Sequence, residues 1–223
     1  LGVSPFLNQM AMFLVQITLN NTLTYYGALS HYGEDIPLAC VGVISKVNIL
    51  MLGFTLGISQ GCQPIFSYNY GARQYSRVRE AYRKAIVAAS VICCIAFVCF
   101  QLFPRPIVAL FDPSGSEEYF QFAERYFRIY MFMTLANAFQ PITANFFTSI
   151  GKAKRGALIA LTRQVIFLIP LILIFPLFLG IDGVMYAGPI ADSAAVVVAL
   201  ALVTREMKRM PHVDEPVAAD TPV

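Results

Sequence analysis

Long apolar runs, broken at intervals by short polar clusters, set the elements of this chain. Six stretches, at about 5–29, 37–68, 78–102, 126–150, 156–179 and 183–204, are each mostly apolar and about 20 residues long or longer. A helix crosses the hydrocarbon core of a bilayer in about 20 apolar residues. The pattern therefore predicts an all-α integral membrane protein with six transmembrane helices, spans I to VI. Several spans carry Pro or Gly, which membrane helices tolerate because neighbouring groups re-satisfy the freed backbone. From 205 to 223 the apolar period ends and Pro and acidic residues accumulate, which predicts a disordered tail.

The polar residues inside the runs fall on faces. In span I, Gln9, Gln16, Asn20 and Thr24 stand at i, i+7, i+11 and i+15, on one narrow helix face. An unpaired amide is costly in hydrocarbon, so the stripe meets either neighbouring helices or water. Its length along the span predicts a water-filled cavity; interhelical hydrogen bonding is the alternative. Span II has two opposite faces. Ser45, Asn48, Thr55, Ser59 and Gln63 form a polar one, and Gly42, Gly53, Gly57 and Gly61 form one that lets another backbone come close. The glycines are expected to pack this helix into its bundle, leaving the amides for the cavity. In span IV, Thr134, Asn137, Gln140, Asn145 and Thr148 lie within about 140° of one another. Pro141 removes a backbone hydrogen bond there, which predicts a kink. The candidate cavity residues are thus Gln9, Gln16, Asn20, Asn48, Gln63, Asn137 and Gln140. Span III is apolar nearly all round and is expected to face lipid, with 103–111 lying flat at the interface.

Composition narrows the picture. The 223 residues are 57% hydrophobic and only 13% charged, with a mean hydropathy of +0.64, too apolar for a soluble domain. The net charge of +3 is distributed by loop and is not a nucleic-acid signal. Arg73, Arg77, Arg79, Arg83 and Lys84 follow span II; Lys152, Lys154 and Arg155 follow span IV; Arg205, Lys208 and Arg209 follow span VI. The intervening loops hold Glu34 and Asp35, Asp182, or a mixture of both signs. Alternating basic loops satisfy the positive-inside rule and predict a multi-pass plasma-membrane protein with both chain ends cytoplasmic. The chain opens Leu1-Gly2 without Met and is expected to be a piece of a longer protein.

Ionisable residues inside a span are functional hypotheses by default. Lys46 and Asp192 each lie about nine residues from the outer surface, about 13 Å deep at 1.5 Å per residue. Asp192 shares a small-residue face with Gly188, Ala195 and Ala199. Matching depth predicts a Lys46–Asp192 pair, with Arg163 as a third member of the network. No metal or cofactor site is expected. The five cysteines show no ligand spacing, and His31 and His212 lack ligand-spaced partners. A membrane enzyme would need a nucleophile with its base, a metal motif or paired carboxylates, and none is present.

At this point the motifs resemble a known family. The stretch Gly57-Ile-Ser-Gln60-Gly-Cys-Gln63-Pro64-Ile-Phe-Ser-Tyr68-Asn69-Tyr70-Gly71-Ala72, followed by basic residues, is similar to the eighth helix and following loop of the multidrug and toxic compound extrusion (MATE) family. Phe146-Phe147-Thr-Ser-Ile-Gly151-Lys152-Ala-Lys154, Arg163-Gln164 with Pro170, and Gly183 with Gly188-Pro189-Ile190-Ala191-Asp192 extend the match. The order fits helices seven to twelve of the bacterial DinF-like and MepA-like branch. The resemblance implies a twelve-helix antiporter of two six-helix lobes around a central cavity, with this chain as the C-terminal lobe. It further implies export of cationic amphipathic small molecules in exchange for H+ or Na+, with the bilayer and the missing N-terminal lobe as partners. No carboxylate stands in span I, so the resemblance does not place ion coupling here. Two other readings stand beside it: a lipid-linked precursor flippase, which would need cations on the amide stripes, and a non-transporting assembly protein.

Overall fold

The computed structural model describes residues 3–33, 35–113 and 115–211, apart from the side chains of residues 3–5, 7 and 137. The described residues form helices and short connections, without strands. Helix α1 spans Val3–Ala28, α2 Asp35–Gly71, α3 Tyr75–Leu102 and α4 Pro104–Phe111. They are followed by α5 (Glu117–Tyr130), a 3-10 turn (Met131–Met133), α6 (Ala136–Ser149) and α7 (Ala153–Leu161). A π-helical segment (Thr162–Leu168) then leads into α8 (Ile169–Leu179), and α9 spans Ile181–Arg209.

Among the described residues, four continuous helical stretches are long and apolar enough to cross a membrane: Asp35–Gly71, Tyr75–Leu102, Ala153–Leu179 and Ile181–Arg209. The other two predicted spans differ for physical reasons. Helix α1 has 26 residues, but its amides and hydroxyls lower its hydropathy. Span IV is two 14-residue helices, α5 and α6, separated by the 3-10 turn. The break at Met131–Met133 precedes Pro141, which sits inside α6 rather than at the interruption.

Helix α5 begins earlier than hydropathy alone indicates because its start is well capped. The Ser116 hydroxyl accepts the Tyr119 amide, and Glu117 and Glu118 occupy the first turn, where the helix dipole favours negative charge. Just before it, α4 buries Val108 and leaves Leu110 exposed. Helix α3 buries Val78, Ala85, Ala89 and Cys93 on one side and exposes Val87, Val91, Ile95 and Val98 on the other. One side of span III therefore joins the bundle and the other remains free for lipid.

The tail expected from 205 is helical as far as Arg209. Glu206 explains the difference: it is buried and ion-paired, which anchors one more turn of α9. The remainder of the predicted tail, from His212 onward, lies outside the described residues.

Contacts at the two ends of the bundle sort the loops as their charges do. At one end Arg79 of α3 donates to the carbonyls of Met210 and Pro211 at 2.8 and 2.9 Å, and Lys152 and Arg155 meet Glu206. Around an opening at the other end lie Tyr26, His31, Tyr32, Arg125 and the Gly180–Asp182 turn, where Arg125 pairs with Asp182 at 2.8 Å.

Candidate functional site

Two regions carry the unusual polar chemistry. The first is an ionic seam along α9. Its face of small residues is buried: Gly188, Asp192, Ala195, Ala199 and Val203 all point into the bundle. Tyr130 lies beneath Gly188 so closely that a Cβ there would come within 2.6 Å of the ring. The Asp192 carboxylate accepts from Arg163 Nε at 2.5 Å, and both side chains are about nine-tenths buried. Arg163 reaches it from the π-helical segment, where the Ile169 amide bonds the Gln164 carbonyl five residues back. Pro170 follows directly and has no N–H, so the regular ladder is already broken at this point.

The predicted Lys46–Asp192 pair is absent. Lys46 is exposed on α2 and makes no hydrogen bond or ion pair among the described residues. Equal depth did not bring the two together because Lys46 points out of the bundle, and Arg163, expected as a third member, is the direct partner. The seam also contains a carboxylate that the sequence reading missed. Glu206, 1% exposed, pairs with both Lys152 and Arg155. The signal was present: Glu206 continues the buried row of Ala195, Ala199 and Val203 at helical spacing.

The second region is the outer face of α1 and α2. Helix α1 packs through Ala11, Val15, Leu19 and Leu23. A second stripe on the flank of this packing face, Gln9, Gln16, Asn20 and Thr24, is exposed along its whole length. Gln16 donates to Asn20 at 2.9 Å, one turn away, so these two amides satisfy each other in part without a neighbouring helix. Large apolar residues, including Phe13 and Ile17, are exposed beside them.

Helix α2 reverses the expectation from its two faces. Thr55 and Ser59 are fully buried, and Ser59 meets α6, where it donates to the Pro141 carbonyl at 3.2 Å and accepts from Asn145 at 2.7 Å. The glycine face is open: Gly53, Gly57 and Gly61 are exposed, and a Cβ at any of them would meet nothing within 4 Å. Ser59 finds its hydrogen-bond partners on α6, while the Thr55 hydroxyl donates to the Leu52 carbonyl of its own helix at 3.0 Å, so this small-hydroxyl side takes the packing role expected of the glycines. Asn48 and Gln63 are half-buried at the edges of this packing. Gln140 is also half-buried and donates to the Ile159 carbonyl of α7 at 3.4 Å. Asn137 lies on α6, and its side chain is outside the described set. The polar stripe of span IV therefore serves contacts within the bundle at Gln140 and Asn145, unlike that of α1. No group of three or more His, Cys, Asp or Glu among the described residues is placed to hold a metal.

Long apolar helices, charges paired inside the bundle and an uncharged polar stripe left bare along α1 define a helical fold of the membrane-protein type. The MatE family model matches residues 9–174, and the chain belongs to this family. It is 23% identical over 205 residues to the multidrug export protein MepA of Staphylococcus aureus (strain bovine RF122 / ET3-1), covering 91% of this chain and 43% of that protein. MepA of Staphylococcus haemolyticus (strain JCSC1435) is also 23% identical, with 91% and 42% covered. The chain thus spans less than half the length of these relatives. Its fold matches the outward-facing conformation of a multidrug resistance MATE family transporter with a TM-score of 0.84 at 20% identity, covering 94% of this chain and 46% of that one. The inward-facing conformation of such a transporter matches with the same score and identity, covering 94% and 47%.

Proposed function

We propose that this chain is the C-terminal six-helix lobe of a secondary multidrug exporter, a multi-pass plasma-membrane protein. In this reading α5 and α6 together make one crossing, α7 to α8 make another, and both ends of the lobe are cytoplasmic. The lobe faces a second six-helix lobe across a central cavity and contributes Gln9, Gln16 and Asn20 to its wall. Gln63, Asn48, Asn137 and Gln140 stand behind that wall. Cationic amphipathic compounds leave through the cavity in exchange for H+ or Na+, as the two lobes rock against each other.

The observation that carries this reading is the bare amide stripe of α1. A stripe of this kind is costly against lipid and has no helix of this bundle over it. Water in a cavity supplies its hydrogen bonds, and neutral amides accept varied substrates. The fold matches to outward- and inward-facing transporters at equal score support a lobe whose architecture is common to both states.

Efflux of a cationic dye from cells expressing the full-length gene tests the reading, with sodium and pH varied separately. Efflux that depends on one of the two gradients is expected. Dye retention equal to that of vector-only cells, with the protein present in the membrane, contradicts it.

A further inference from the structure

We propose that the basic end of the lobe, where α3 begins and α9 ends, binds the headgroup of an anionic phospholipid. The inference rests on the membrane reading above and not on transport. Three observations lead there. The first is an exposed face of α3 that changes character abruptly. From Val87 through Val91, Ile95 and Val98 to Leu102 it is apolar for about 22 Å at 1.5 Å per residue. From Lys84 back through Arg83 to Arg77 the same face is charged. Helix α9 repeats the change at its own end: Val197 and Leu200 are exposed and apolar, and Arg205, Lys208 and Arg209 follow on that side.

The second observation is how the cations at this end divide. Those turned into the bundle are engaged: Lys152 and Arg155 meet Glu206, and Arg79 donates to the carbonyls of Met207, Met210 and Pro211. Lys84 pairs with Glu80 of its own helix at 2.7 Å. Arg83, Arg205, Lys208 and Arg209 are exposed and make no hydrogen bond or ion pair among the described residues. A cation in the last turn of a helix commonly serves the free carbonyls there. In α9 Arg79 reaches those of Met207 and Met210 from the neighbouring helix, which leaves Lys208 and Arg209 for something outside the lobe.

The third is proximity. The Arg79 contacts hold the start of α3 against the end of α9. Arg83 stands one turn along α3 from Arg79, and Lys208 and Arg209 lie between Met207 and Met210. Topology alone accounts for basic residues at this end, but it does not require free cations of two helices at one junction, beside the point where an apolar face stops. Acyl chains suit the apolar face of α3, and the charged stretch that caps it then stands at headgroup level. Four or more Lys and Arg next to a membrane helix attract anionic lipid. A zwitterionic headgroup brings its own cation, which the positive field of this junction opposes. A headgroup of net negative charge is the complement, and one held there bridges α3 and α9.

Quenching by brominated lipid in the full-length protein tests the proposal. This chain has no tryptophan, so Ala88→Trp, on the exposed face one turn from Lys84, is a local reporter once any tryptophan elsewhere in the protein is replaced. Mixed bilayers of phosphatidylglycerol and phosphatidylcholine are used, with one or the other brominated. Phosphatidylglycerol is expected to be favoured at position 88 about fivefold, roughly what one cation near a membrane surface supplies. Adding Arg83→Gln, Lys208→Gln and Arg209→Gln together brings the ratio near one, whereas Arg83→Lys with Arg209→Lys keeps it, because charge is what the headgroup recognises. A ratio near one with all four cations in place, or a preference that survives the triple replacement, overturns the proposal. So does quenching by neither lipid, which puts protein over the α3 face. A preference that emerges only when residues 212–223 are removed overturns it too, by giving the cations to Asp214, Glu215 and Asp220 of this chain. Absence of dye efflux bears on the transporter reading alone, since quenching needs only the protein in a bilayer.

Discussion

Helix α9 and the α1–α2 face handle polarity in opposite ways. Each carboxylate of α9 meets a cation from a different neighbour: Asp182 meets Arg125 of α5, Asp192 meets Arg163 of the π segment, and Glu206 meets Lys152 and Arg155 around the α6–α7 turn. Arg79 of α3 then caps the helix end. The α1–α2 face instead shows amides, glycines and Lys46. Formal charge inside a bundle is tolerated when each group has a fixed partner, because an unpaired one is expensive. Neutral amides suit a surface whose surroundings change, since water or a varied substrate can satisfy them. On this comparison α9 ties the lobe together, and α1–α2 is where the lobe meets something else.

Replacing one member of the central pair tests the first half of that contrast and carries the largest expected effect. Asp192→Asn strands the buried Arg163 and should cost about 3–5 kcal/mol, read as lost membrane yield and a lowered thermal midpoint in the full-length protein. The double variant Arg163→Gln/Asp192→Asn removes both charges and should recover most of the loss. A single variant as stable as wild type would show that the pair does not hold α9.

Gly188→Ala comes next. Its new methyl would lie 2.6 Å from the Tyr130 ring, and overpacking of this kind costs about 1–3 kcal/mol. Combining it with Tyr130→Leu should give back part of that, a coupling that a double-mutant cycle measures. Glu206→Gln should cost less, about 1 kcal/mol, because Lys152 and Arg155 keep roughly a third of their side chains exposed and can turn to water.

The smallest effect is expected on the other side of the comparison. Gly57→Ala meets nothing within 4 Å in this lobe and should leave stability within about 0.5 kcal/mol of wild type. A much larger loss in the full-length protein would reveal a helix from outside this lobe crossing closely at Gly57.

The sequence carried the membrane class, the polar stripe of α1, the buried small-residue face of α9 and the sorting of basic and acidic loops. These depend on period and charge order, which a linear string records. It did not carry which face of α2 turns inward. Periodicity separates the Ser59 side from the Gly57 side, but either can pack in a membrane, and the choice depends on α6 offering the Pro141 carbonyl and Asn145 as partners. The Lys46–Asp192 expectation failed for a related reason: depth follows from residue count, whereas direction around the bundle depends on neighbours. The π segment adds to the difficulty, because its extra residue per turn reorients Arg163 in a way an ideal helical wheel misses. Glu206 was hidden by treating the last turn of α9 as tail.

The central claim is that the exposed amide stripe of α1 meets water. Its most direct test is labelling of Gln16→Cys by a membrane-impermeant maleimide in the full-length protein, with the native cysteines replaced and Val91→Cys on the exposed side of α3 as the lipid-facing reference. The account predicts rapid labelling at position 16, slowed by a bound cationic dye, and little at position 91. Equal protection of the two positions from the aqueous reagent would contradict it.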